Sequence, residues 1–179
     1  MIDKFGKGIL TMFGIGHFKY APGTIASFVT CLVFFVLLEH TSLSLFKTNK
    51  TFLISFLIIL CIYSIVLIDK FYKKNDAKEI VIDEFIGQSI PLISIFYMNF
   101  TFTFPMGYLE FYSIVWIVLS FLLFRFFDIL KPFPINIIDR KIKNGIGVML
   151  DDIIAGIFST ISIYILYSLR IVQNFFIWL

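Results

Sequence analysis

The chain has 179 residues, of which 59% are hydrophobic and only 15% charged, and its mean hydropathy is +0.95. Soluble domains are about 45–50% apolar, so this composition excludes an ordinary water-soluble globule and makes a bilayer the better solvent. A net charge of +3, dispersed along the chain, excludes nucleic acid as a partner, and 179 residues fit a single domain, 1–179.

Residues 1–23 carry Lys4, Lys7 and Lys19 and read as an interfacial N-terminal segment. No cleavable leader is expected, since the first apolar run starts near residue 24 and no A-x-A site follows it. Pro22 and Gly23 predict a turn, and Thr24 the N-cap of the first span. A helix start of this kind offers free N–H groups and a partial positive charge, which suit a phosphate. Five apolar stretches follow: 24–45, 51–69, 79–98, 110–130 and 147–169. Each approaches the roughly 20 residues that a crossing helix needs. The prediction is therefore all-α, a polytopic integral membrane helical bundle of about five transmembrane or membrane-embedded helices. Pro91 predicts a kink in the third. Cys31 and Cys61 lie inside apolar runs without metal-ligand spacing and read as packing residues. His17 and His40 have no partner at ligand spacing.

Orientation follows from the basic residues. With the N-terminus in the cytoplasm, that side holds Lys4, Lys7, Lys19, Lys70, Lys73, Lys74, Lys78, Lys131, Arg140, Lys141 and Lys143. The opposite side holds Lys47, Lys50 and Arg170. Such an excess favours this topology. It brings Glu84, Arg125 and Asp151 to one depth, about 6–9 Å below the cytoplasmic surface at 1.5 Å per residue. Charges inside spans face the interior of a bundle and carry function by default.

Three stretches hold these charges. "NDAKEIVIDEFIGQ" offers Asp76, Asp83 and Glu84, with Gly87 one turn beyond Asp83 for a close helix approach. "FRFFDILKPFP" aligns Arg125, Asp128 and Lys131 in one rough stripe that Pro132 ends. An Arg125–Asp128 ion pair is one reading of it. Phosphate binding by Arg125 and Lys131, a planar fork and a point charge, is the other. "NGIGVMLDDIIAG" opens on a flexible approach at Gly145 and Gly147, carries Asp151 and Asp152, and has small residues, Ala155 and Gly156, one turn on. Several inward carboxylates at one depth need a counter-charge. Carboxylates without histidine or thiolate favour magnesium over zinc. A magnesium-bound phosphate at headgroup depth implies a phospholipid substrate, and either phosphate hydrolysis or head-group transfer. An ion-coupled transporter using the same carboxylates is the alternative; a scaffold with structural ion pairs is another.

At these residues the chain resembles the phosphatidylglycerophosphatase A family. "APGTIAS" (Ala21–Ser27), "DAKEIVIDEFIGQ" (Asp76–Gln88), "FRFFDILKPFPI" (Phe124–Ile135) and "NGIGVMLDDIIAG" (Asn144–Gly156) carry the likeness in the family's order. Departures are Ala26–Ser27 where the family has Gly-Ser, Asn144–Gly145 where it has two glycines, and Lys19 where proline is common. The resemblance implies a magnesium-dependent lipid phosphatase of phospholipid biosynthesis. Such an enzyme removes the terminal phosphate of phosphatidylglycerophosphate to give phosphatidylglycerol. It implies a multi-pass protein of the bacterial inner membrane with its active site facing the cytoplasm. Family motif positions fall on Asp76, Asp83, Glu84, Arg125, Asp128, Lys131, Asp151 and Asp152. The expected roles are metal binding by Asp83, Glu84, Asp151 and Asp152, catalysis by these four with Asp128, and substrate binding by Gly23, Thr24, Ser27, Arg125 and Lys131. Attack by water and an aspartyl-phosphate intermediate both remain open, as does the oligomeric state.

Overall fold

A computed structural model of the chain describes residues 2–40, 43–72, 78–98 and 108–169. These residues form seven α-helices and one 3₁₀ turn, with no strand among them. The helices are α1 (Ile2–Leu10), α2 (Pro22–His40), α3 (Leu43–Phe71), α4 (Ile82–Met98), α5 (Tyr108–Leu130), α6 (Ile135–Lys141) and α7 (Gly145–Ser168). The 3₁₀ turn is Ile15–His17. Asp76 lies outside the described residues.

The predicted all-helical class is observed, with shifted boundaries. The helix of the first predicted span, α2, begins at Pro22, so Thr24 sits in its first turn and is not its N-cap. Proline's fixed φ and missing N–H suit the first helical position, and the Ala21 carbonyl accepts from the Ile25 N–H at 3.1 Å. Gly145 and Gly147 are likewise not a flexible approach. They form the first turn of α7, capped by Asn144, whose Oδ1 accepts from the Gly147 N–H at 3.1 Å. Asp69 at the end of α3 accepts from the Gly145 N–H at 2.6 Å, tying α3 to the start of α7.

Two described helices have the length and composition to cross a membrane: Thr51–Phe71, with a mean hydropathy of 2.8, and Gly145–Ser168, with 1.7; Pro22–Leu37 is a shorter apolar helix.

The bundle is built around α7, which packs on α4 and α5, with α2 against the other side of α4 and α5. One apolar cluster joins Phe34 of α2, Leu92 and Ile95 of α4, Trp116 of α5 and Ile163 of α7. A second joins Leu10, Leu67, Ile68, Ile86 and Met149 beneath α1 and α3. A small third one, Phe124, Ile135 and Ala155, seats α6 on α5 and α7.

The tightest crossing is between α4 and α7. A Cβ on Gly87 would stand 2.7 Å from the Asp152 carbonyl oxygen, and one on Gly156 2.4 Å from the Gly87 carbonyl oxygen. Pro91 explains the second contact. It has no N–H to offer the Gly87 carbonyl four residues earlier, so that oxygen is left facing its neighbour. α4 runs unbroken through Pro91, and only glycine at 156 leaves room for the freed carbonyl.

The N-terminal segment folds onto the approach to α4. The Val81 N–H donates to the Leu10 carbonyl at 3.0 Å, and His17 Nδ1 lies 3.5 Å from Glu79 Oε2. The Tyr72 hydroxyl donates to Glu79 Oε1. Burial, together with that hydrogen bond and the Glu79 charge, pushes the Tyr72 phenol up to about 12. In an absorbance titration of tyrosinate, Tyr72→Phe is therefore expected to remove a tyrosine ionising near pH 12. An unchanged alkaline limb would contradict the contact.

Candidate active site

One cavity of about 560 Å³ opens where the N-terminal ends of α2, α4 and α7 meet the C-terminal end of α5. Its wall includes Gly23 and Thr24, Asp83 and Glu84, Arg125 and Asp128, Lys131, and Asp151 and Asp152. Residues far apart in sequence thus converge because three helices start, and one ends, at the same level of the bundle. Helix starts also suit acids: Asp83 and Glu84 occupy the first turn of α4, where the partial positive charge of the macrodipole favours them.

The carboxylates are not equivalent. Asp83, Glu84 and Asp152 each bring an oxygen within 4.8 Å of the others. Asp152 is 4% exposed. Its Oδ2 and the Oε2 of Glu84 are buried without a hydrogen-bond partner. Backbone N–H groups serve only part of the cluster: the Glu84 N–H donates to Asp83 Oδ1 at 3.1 Å. Asp151 is drawn elsewhere, its Oδ2 accepting from Lys131 Nζ at 2.7 Å. The adjacent pair that looks uniform in sequence is split, Asp152 toward α4 and Asp151 toward the loop after α5.

The cations are equally specific. Arg125 Nη1 lies 2.8 Å from Asp128 Oδ2, an i,i+3 pair on α5, and 3.5 Å from Ser27 Oγ, while its buried Nε has no partner. Ser27 itself donates to the Gly23 carbonyl at 3.0 Å. A Cβ on Gly23 would stand 1.9 Å from Glu84 Oε1, so a side chain there would displace the Glu84 carboxylate. Lys131 does not continue the helical stripe of Arg125 and Asp128. It leaves α5 with a φ of 43°, which turns it toward Asp151 and, at 3.3 Å, Asp139. Burial alone would lower the Lys131 ammonium, but the hydrogen bond and charge of Asp151, reinforced by Asp139, hold it well above its usual value.

The described residues expected to bind metal or substrate thus line this cavity, except Ser27, which contacts Arg125 in its wall. Sequence reasoning missed Asp139, Lys78 and Lys143. Lys78 and Lys143 line the cavity, and Asp139 bridges Lys131 to Lys143, at 3.7 Å from the latter. Asp139 lies on α6 and Lys143 two residues past its end. The short helix α6 returns them to the cavity.

Carboxylates and cations converge on one cavity in a chain whose described residues are helical, an arrangement that suits binding of a phosphate ester. Comparison with known proteins narrows the class. The family described as phosphatidylglycerophosphatase A matches residues 8–167. Phosphatidylglycerophosphatase A of Haemophilus influenzae is 34% identical over 154 residues, covering 85% of this chain and 82% of the relative. That of Escherichia coli is 30% identical over 152 residues, 85% of this chain and 77% of the relative. A Bacteroides thetaiotaomicron protein, named provisionally a phosphatidylinositol-3-phosphatase, is 29% identical over 156 residues, 86% and 87% of the two chains. No solved structure matches the chain. The chain belongs to the phosphatidylglycerophosphatase A family, which makes it a phosphoric monoester hydrolase.

Proposed function

We propose that the chain hydrolyses the terminal phosphate of phosphatidylglycerophosphate to phosphatidylglycerol and phosphate, at the cytoplasmic face of a bacterial inner membrane and with Mg²⁺. The observation that carries this reading is the cluster of Asp83, Glu84 and Asp152, with two buried oxygens lacking partners, at the wall of the cavity that holds Arg125 and Lys131. Three acids this close, Asp152 buried and Asp83 and Glu84 half-buried, repel one another unless a cation offsets them. Oxygen-only donors suit a hard divalent ion, so these three would hold Mg²⁺. When bound, the ion neutralises phosphate oxygens and acidifies water.

The chain's own groups do the rest. Arg125, oriented by Asp128 and Ser27, presents its remaining N–H donors to the terminal phosphate. Lys131, anchored by Asp151, adds a fixed positive charge that becomes more valuable as charge builds on the phosphoryl oxygens. A carboxylate of the cluster takes the proton of the attacking water. Gly23 and Thr24, in the first turn of α2, offer N–H groups to a substrate phosphate.

The membrane reading adds α2, α4 and α5 to the two long apolar helices as further crossings. It is supported by large apolar side chains left exposed on several helices, such as Phe28 and Val36 of α2, Ile59 and Val66 of α3, Leu122 of α5, and Ile161 and Ile165 of α7. The lysines and arginines around the cavity support a cytoplasmic site. Family membership favours hydrolysis over ion-coupled transport.

The test is phosphate release by the purified protein from phosphatidylglycerophosphate in mixed micelles, with phosphatidylinositol 3-phosphate as the comparison substrate. Release is expected from the first lipid, lost with EDTA and restored by Mg²⁺. Preference for the inositol lipid would transfer the assignment, and release that survives EDTA would sink the metal–carboxylate mechanism.

A further inference from the structure

Beside the polar cavity the bundle has a second, apolar hollow of about 380 Å³ between α3, α4 and α7. Its wall includes Ile58, Cys61 and Ile62 of α3, Ile86 and Ile90 of α4, and Ile153 of α7. Nothing in the chemistry above uses it. Its position relative to the active site is informative. Ile86 follows Asp83 by one helical turn, and Ile153 follows Asp152 directly. Ile68, which lines the polar cavity, lies two turns along α3 from Cys61. The hollow therefore begins where the polar cavity ends, and extends along the helices away from it. From Ile86 to Ile93 the wall of α4 runs about 10 Å, and from Ile54 to Ile62 that of α3 about 12 Å, at 1.5 Å per residue. Half of a bilayer's hydrocarbon core is roughly 15 Å deep. Ile86 is buried and forms the floor, whereas Ile58 and Ile62 are more than half exposed and leave the hollow open on the outer side of α3. α3 is the most apolar of the helices able to cross a membrane.

The geometry points to this groove as the seat of one acyl chain of the lipid whose phosphate is cleaved, an inference that rests on the lipid-phosphatase reading. A chain that leaves bilayer for groove exchanges one apolar medium for another, so the groove supplies little affinity. What it supplies is register. A chain fixed between α3 and α4 limits how far the headgroup rises, tilts or rotates over Asp83, Glu84 and Asp152. Restricting a substrate to a near-attack position is worth orders of magnitude in rate. The apolar lining and lateral opening fit a hydrocarbon tail, which enters from the bilayer without crossing the charged rim.

Two measurements test this. Phosphatidylglycerophosphate carrying a diazirine midway along one acyl chain is photolysed with the wild-type protein in micelles without metal, and labelled residues are found by mass spectrometry. Labelling is expected at Ile58, Cys61, Ile62 and Ile90, suppressed by unlabelled phosphatidylglycerophosphate but not by equal phosphatidylcholine. Labelling spread over other lipid-facing positions such as Phe28 and Val118, or competed equally by both lipids, would overturn the proposal. In the second, Cys61→Trp fills the groove. The ratio of kcat/KM for a long-chain substrate to that for a dihexanoyl substrate is expected to fall about tenfold. An unchanged ratio would overturn it. If wild-type protein cleaves neither lipid, the proposed function fails, while competed labelling in the groove still establishes a lipid seat.

Discussion

Asp152→Asn is expected to lower kcat/KM for phosphate release by about a thousandfold without lowering the thermal midpoint of the metal-free protein. The two halves have one cause. Asp152 is 4% exposed and shares its neighbourhood with Asp83 and Glu84, all three within 4.8 Å. At an effective dielectric of about 20, two like charges at that separation oppose each other by roughly 3 kcal/mol. Asparagine removes that repulsion and keeps the shape, so the fold gains or holds. It also removes an anionic oxygen from the cluster proposed to hold a cation against a phosphate, so function is expected to fall. Stability without function is the pattern of a site that stores strain for chemistry. A structural ion pair behaves in the opposite way: breaking it leaves a buried charge unmatched and destabilises the fold. The checks are steady-state kinetics, Mn²⁺ binding followed by electron paramagnetic resonance, and thermal unfolding with EDTA. A variant that loses activity and thermal stability together, with Mn²⁺ affinity intact, would make Asp152 a packing residue.

Much of this arrangement is legible in sequence because a membrane solvent makes charge conspicuous. Asp83, Glu84, Arg125, Asp128, Asp151 and Asp152 stand out against apolar neighbours, and lysine bias sets them at one level before any packing is known. The pairing among them is not legible. Asp151 and Asp152 are adjacent, and about 100° of helical rotation sends one to Lys131 and the other to α4. Which one goes where depends on the crossing of α4 and α7, a tertiary fact. Lys131 misleads for a related reason. Its spacing from Arg125 suggests one helical stripe, but α5 ends at Leu130 and the left-handed φ at Lys131 redirects the side chain. The short helices α1 and α6 escape a reading based on long apolar runs. At nine and seven residues they are shaped by what they pack on. Asp139 and Lys143 were hidden with them. Thr24 reads as an N-cap in sequence but is the third residue of α2, because Pro22 suits both a turn and a first helical position.

The glycines of the α4–α7 crossing carry the second large effect. Gly156→Ala is expected to destabilise the protein by about 1–3 kcal/mol and to lower kcat/KM about a hundredfold. The added methyl would stand 2.4 Å from the Gly87 carbonyl oxygen and 3.2 Å from Ile90 Cβ. The first obstacle is backbone and cannot rotate away, so the helices must part. α4 carries Asp83 and Glu84, and α7 carries Asp152, one turn from the crossing. Parting the helices therefore opens the carboxylate cluster itself, and Mn²⁺ affinity should fall with activity. Intrinsic helix propensity argues the other way, since alanine is favoured over glycine by about 1 kcal/mol. Gly8→Ala in α1 isolates that term, because a Cβ there meets only the Phe13 ring, at 4.0 Å. It is expected to leave activity unchanged and to raise the thermal midpoint slightly. If Gly156→Ala instead behaves like Gly8→Ala in both stability and Mn²⁺ binding, the close approach of α4 and α7 is not what holds the carboxylates together. The site would then owe its geometry to the helix ends, through Asn144, Asp69 and the Ala21 turn.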